Sequence, residues 1–169
     1  MRVFKPKAIW STIGALLVIS IASFIVHSKL HHSLISQSIT SQVDFRLLLP
    51  SDKSTSIWTL VPASPKVAIK DKGDKVFSFI LNSPKAQVTI SEQAYPESLI
   101  YDNLVNGINL YNETGSDYGK VSLGRPDSAG GAQTAVLKYG DDALIFARPS
   151  QDIAVNDWRD LFNSLVPSN

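Results

Sequence analysis

The chain predicts an α+β domain, an antiparallel sheet with one or two packed helices, preceded by an N-terminal transmembrane helix. Three observations carry this. An uncharged apolar run lies near the front. Short segments of period-two alternation, separated by turn chemistry, fill most of the remainder. Two stretches, one near residue 100 and one at the end, change to helical spacing.

The apolar run comes first. "AIWSTIGALLVISIASFIV", Ala8–Val26, has no charge and no proline. Nineteen helical residues at about 1.5 Å each reach roughly 28 Å, close to the hydrocarbon thickness of a bilayer. Arg2, Lys5 and Lys7 precede it, so the positive-inside rule places residues 1–7 in the cytoplasm and everything after the span outside. A cleaved signal peptide is the competing reading. Its apolar core is usually shorter and ends at a small-x-small site, whereas this run leaves through "FIVHSKLHH". The expected organisation is a cytoplasmic end at 1–7, a membrane helix at 8–27, a polar stalk at 28–42 and an extracytoplasmic domain at 43–169.

Within that domain "VDFRLLLP" reads as a strand ending at Pro50, and "IWTLVP" as a short extended piece. "KVAIKDKGDKVFSFIL" is the clearest hairpin, with Val67 and Ile69 alternating before a charged turn that contains one glycine. "AQVTISEQ" places Val88 and Ile90 on one face. From Pro96 the period changes: Ile100, Leu104, Val105 and Ile108 fall at helical spacing, and Pro96 and Glu97 suit a first turn. "GKVSLG", "QTAVLKY" and "ALIFARP" are three further strands. In the closing "IAVNDWRDLFNSLVPSN", Val155, Trp158, Leu161, Phe162 and Leu165 form an apolar stripe. Asp157 and Asp160 are expected on the opposite face, with Pro167 ending the helix.

Composition narrows the chemistry. Residues 1–42 carry four Lys/Arg and no Asp/Glu, and residues 43–169 carry twelve against fifteen. A mildly acidic domain is poorly suited to gripping nucleic-acid phosphates. Cysteine is absent, which removes lipid-modified cysteine and disulfides. The histidines are His27, His31 and His32, all ahead of the domain. Ser-His-Asp, Cys-His and His-based zinc sites therefore cannot be assembled inside it.

Short motifs are expected to be structural. Tyr139-Gly140-Asp141-Asp142 spells the paired-carboxylate turn of RNA-dependent polymerases. Two-metal chemistry, however, needs carboxylates converging from different elements. A hairpin turn with Gly140 at positive φ and solvated aspartates is the expectation. "TGSDYGKVS", Thr114–Ser122, approaches a phosphate-binding loop, but it is one residue short between Gly115 and Gly119 and leads into a strand. Asp117 and Asp127 also fall in expected loops; Trp58 and Trp158 could mark a binding face, but a tryptophan on a terminal amphipathic helix, as Trp158 is, reads as core. No catalytic, cofactor-binding or metal-ligating residue is assigned.

"VTISEQAYPES", "GKVSLGRPDSAGGAQTAVLKYGDDALIFARPS" and "DWRDLFNSLVP" resemble uncharacterised bacterial single-pass membrane-anchored proteins with a small extracytoplasmic α+β domain. The shared features are a strand closing on a Ser-Glu-Gln turn, a two-strand hairpin, and a last helix with Trp158, Leu161 or Phe162, Ser164 and Leu165. The order of elements is similar, at fold level, to Mog1/PsbP-like domains and to lipoprotein-sorting half-barrels. The resemblance carries no catalytic residue across. The function it leaves in view is a non-enzymatic anchored domain, held in lipid by residues 8–27, that binds an envelope protein partner or serves as an accessory or sensor subunit. A small-ligand or lipid carrier is the second reading and a carboxylate-based hydrolase the third.

Overall fold

Period-two alternation builds the centre of the molecule. The computed structural model describes residues 34–52, 56–70, 73–95, 107–126 and 131–168. Strands β1 (Leu48–Pro50), β2 (Thr59–Leu60) and β3 (Lys66–Ile69) lead into β4 (Lys75–Asn82), which buries Phe77, Phe79 and Leu81. Strand β5 (Gln87–Ala94) buries Val88, Ile90 and, in the same phase, Glu92. Strands β6 (Ile108–Ser116), β7 (Gly119–Pro126), β8 (Thr134–Tyr139) and β9 (Ala143–Pro149) follow, and β10 (Leu165–Pro167) is the last described element. The main sheet is antiparallel in the order β2-β4-β5-β9-β8-β7-β6. The expected hairpin at 66–81 is present, with Ile69 opposite Lys75 and Gly73 at φ 86° in its turn.

Strands β2 and β3 share one edge of β4: Thr59 and Leu60 face Asn82 and Leu81, while Lys66–Ile69 face Ser78–Lys75. At the break the Ser64 hydroxyl accepts from the Ile80 N–H at 2.9 Å and donates to the Val61 carbonyl at 2.6 Å. It thus stands in for the ladder partner that the break removes.

Helix α1 (Gln37–Thr40) is short and is capped by Ser36, whose hydroxyl accepts from the Ser38 N–H. The one long helix among the described residues is α2 (Val155–Asn163). It lays Trp158, Leu161 and Phe162, all fully buried, on the sheet face that carries Phe77, Phe79, Ile90, Leu137 and Ile145. A separate two-stranded ribbon, β1 with β10, adds Leu48, Leu49 and Leu165 to the same core. Interdigitated Trp, Phe, Leu and Ile fill the space between sheet and helix.

Several expectations change. Of the helix read over Pro96–Tyr111, residues 96–106 lie outside the described residues. Ile108–Tyr111, however, belong to strand β6, paired with β7. Ile108 and Leu110 alternate around Asn109, and long-range pairing with Gly124–Pro126 overrides a helical spacing that ran on by one turn. The last helix stops at Asn163, not at Pro167, because the Leu165–Pro167 backbone pairs with β1. Asp157, expected on the exposed face, is buried. Its carboxylate accepts from the Ala154 N–H at 3.3 Å and from Lys85 Nζ at 2.6 Å, where it also offsets the positive end of the helix. Asp160 is exposed as expected.

The compact unit begins at Ser33, ahead of the expected Val43 boundary. Ile35 is buried in the core, and the Leu34 N–H donates to the Pro50 carbonyl. Among the described residues no helix is long and apolar enough to cross a membrane, and the expected span at 8–27 lies outside them.

One glycine is required by close approach. A Cβ on Gly124 would stand 2.4 Å from Ile108 Cγ2 and 2.8 Å from the Asn109 carbonyl. Gly124→Ala is therefore expected to lower stability by about 1–3 kcal/mol through overpacking against β6. Urea unfolding checks this, and an unchanged midpoint would show that β6 moves aside without cost.

Candidate functional site

The same alternation that fills the core turns the other half of each strand towards the opposite face of the sheet. On β5 these side chains are Thr89, Ser91 and Gln93. Strand register sets Arg148 opposite Thr89, Phe146 opposite Ser91 and Val76 opposite Gln93. Lys70, just past β3, and Ile108 and Pro126 complete the walls of a groove of about 730 Å³. Its floor adjoins a small apolar cluster of Val136 and Leu144, packed with Tyr95, Ile108 and Phe146. Lys70 Nζ donates to Gln93 Oε1 at 3.2 Å. Among the described residues the lining holds two cations, Lys70 and Arg148, and no carboxylate. Hydroxyl and amide groups lie between them on a partly aromatic floor. Such a surface accepts an anion-bearing group through charge-assisted hydrogen bonds.

The Tyr139–Ala143 turn behaves as a turn. Tyr139 pairs with Ala143, and Gly140 has φ 59°. Asp141 is almost fully exposed and pairs with Lys138 at 3.0 Å; Asp142 faces Arg46 at 3.6 Å. Lys138 Nζ also lies 4.7 Å from the centre of the Tyr95 ring, a cation–π distance. Asp141, Asp142 and Asp44 line an open depression with Arg46 and Tyr95. Among the described residues no three acids, histidines or cysteines converge as a metal site. The double variant Asp141→Asn/Asp142→Asn is expected to change stability by less than about 1 kcal/mol, as solvated surface pairs do. Magnesium should shift its thermal midpoint no differently from that of the parent chain. A magnesium-dependent rise in the parent alone would reopen the metal reading.

The loop at Thr114–Ser122 is likewise a turn between β6 and β7. Ser116 Oγ donates to the Gly119 carbonyl at 2.8 Å, and Gly119 has φ 131°. A strand follows, so no helix N-terminus faces it. Asp117 lies in this turn; Asp127 and all three histidines lie outside the described residues. Trp58 and Trp158 are both buried. The Trp158 indole N–H donates to Gln133 Oε1 at 2.9 Å, and that oxygen also accepts from the Ile153 N–H.

The unexpected residue is Glu92. It is fully buried in a row across the core face, between Phe77 on β4 and Ile145 on β9. Its Oε2 accepts from the Leu48 N–H at 2.9 Å, while Oε1 has no partner among the described residues. Burial pushes its pKa well above the ordinary glutamate range, and the Leu48 N–H opposes this only in part. The signal was present in the sequence: Val88, Ile90 and Glu92 share one phase, so the strand that buries the first two buries the third. Among the described residues no second carboxyl lies buried beside it to form the converging pair that hydrolytic acid–base chemistry needs.

No family model, no curated protein and no solved structure matches this chain.

Proposed function

We propose that the chain is a membrane-anchored extracytoplasmic domain without catalytic chemistry, which binds a carboxylate-bearing segment of an envelope protein in the groove between Lys70 and Arg148. The observation that carries this reading is the charge of the groove: among the described residues it presents two cations, hydrogen-bonding side chains and no acid, within a domain whose composition is otherwise mildly acidic. Complementary charge gives a partner orientation and speeds encounter. The anchor rests on the apolar run Ala8–Val26 and the basic residues before it. The carrier reading needs a dry cavity lined by Val, Leu and Phe. That reading is disfavoured by a core filled by Trp158, Phe77, Phe79 and Phe162 and by the polar lining of the groove.

The test uses the full chain in producing cells, with a photoreactive amino acid at Thr89 in the groove or at Asp160 on the exposed side of α2. The expected result is a discrete protein adduct from Thr89, absent from Asp160 and abolished by Lys70→Glu/Arg148→Glu. The reading fails if there is no adduct, if both positions capture the same bystanders, or if charge reversal leaves the adduct intact. It fails equally if Thr89 couples within the chain to residues 96–106.

A further inference from the structure

Glu92 is not part of the groove, although Ser91 and Gln93 on either side of it line that groove. It faces the other way, to the ribbon of β1 and β10. The ribbon's own bonds do not use the Leu48 N–H. The Leu47 N–H donates to Ser168 Oγ and the Ser168 N–H to the Leu47 carbonyl, both on the β10 side. The next N–H along, that of Leu48, points away from β10 and meets Glu92 Oε2. The carboxyl therefore joins two pieces, the centre of the main sheet and the ribbon.

We propose that Glu92, as a neutral carboxylic acid, is the latch that holds the β1–β10 ribbon on the sheet, and that loss of its proton to water releases the ribbon. Beyond the Leu48 N–H, the described surroundings offer an anionic form no donor and no cation. Phe77 faces it from β4, Ile145 from β9 and Leu48 from β1. Helix α2 and β10 contribute Trp158, Leu161, Phe162 and Leu165 to the same core. None of these side chains titrates or carries charge. Arg46, two residues before Leu48, is exposed and turned to Asp142. Among the described residues a carboxylate left in this row has one N–H donor and an unpartnered second oxygen; leaving the core is its route back to full solvation. Moving the ribbon breaks few backbone bonds, since β1 and β10 pair with each other and not with the eight-stranded sheet. The device would make the ordering of the segment next to the expected anchor depend on external pH.

Hydrogen exchange on the full chain in detergent, followed from mildly acid to alkaline pH, tests this. After correction for intrinsic rates, protection of the Leu48, Leu49, Leu165 and Val166 amides is expected to fall about tenfold per pH unit. Protection of Val136 and Ile145 should hold, and in Glu92→Gln the ribbon's protection should be flat with pH. Central strands losing protection together with the ribbon, an equal slope in Glu92→Gln, or no slope at all would each overturn the proposal. Should Glu92→Gln fail to fold, carbon-13 labelling of the natural chain gives the same answer. Its only glutamates are Glu92, Glu97 and Glu113. One carboxyl signal is then expected to stay in the neutral-acid position after the other two have shifted, and to change where the ribbon's protection falls. Three signals titrating together as ordinary glutamates would sink the latch.

Discussion

Trp158→Ala is expected to lower the stability of the folded domain by about 3–5 kcal/mol, the usual cost of removing a large aromatic side chain from a packed core. Trp158 is fully buried, with its ring 6.5 Å from that of Phe162. It pins α2 to the sheet and also supplies a donor to Gln133 Oε1. Truncation leaves a cavity and deprives a buried amide oxygen of one of its two donors. A domain of this size has only about 5–15 kcal/mol in total, so the variant should lie close to its unfolding threshold at physiological temperature. Trp158→Phe separates the two effects. It keeps most of the volume and should lose about 1–2 kcal/mol, mainly for the missing indole N–H. Urea midpoints of the three proteins check both figures. A Trp158→Ala loss below about 1 kcal/mol would mean that α2 does not anchor the core as its packing implies.

Stability is expected to fall as pH rises, and Glu92→Gln should remove that fall. The sign follows from the direction of the shift. Burial raises the pKa of Glu92 in the folded protein, so the folded state holds a proton that the unfolded state gives up above about pH 4.3. The stabilisation is complete below that value. It declines by up to about 1.4 kcal/mol per pH unit until the folded state ionises as well. The glutamine side chain of the variant keeps an oxygen for the Leu48 N–H and does not titrate. At low pH the two proteins should therefore be similarly stable, and at alkaline pH the variant should be the more stable. Chemical denaturation at several pH values measures the two slopes. Parallel curves would show that Glu92 bears no desolvation cost and reaches water in the native state.

Much of the sheet was legible from local pattern. The 66–81 hairpin, the burial of Val88 and Ile90, the three strands at 119–149 and the apolar side of the last helix follow from side-chain periodicity alone. The Tyr139–Ala143 turn followed from the freedom of glycine at positive φ. Other features depended on partners far along the chain. Ile108–Tyr111 fit a helical spacing until Gly124–Pro126 paired with them. Leu165 fits the helical stripe equally well, but β1 draws it into a ribbon more than a hundred residues from its partner Pro50. Asp157 looks like a solvent-facing acid until Lys85, from the turn before β5, closes over it.

The sequence by itself determined which side of each regular strand is apolar and the absence of His and Cys from residues 43–169. Those properties reside in residue identity and in a period of two or about 3.6, and both are local. The tertiary structure decided what each polar residue in phase with the core would meet. It left Asp141 and Asp142 in solvent, gathered Lys70 and Arg148 around one groove, and sealed Glu92 between Phe77 and Ile145. A carboxyl's charge state is set by its dielectric surroundings and its donors, and here a donor comes from Leu48, forty-four residues earlier in the chain.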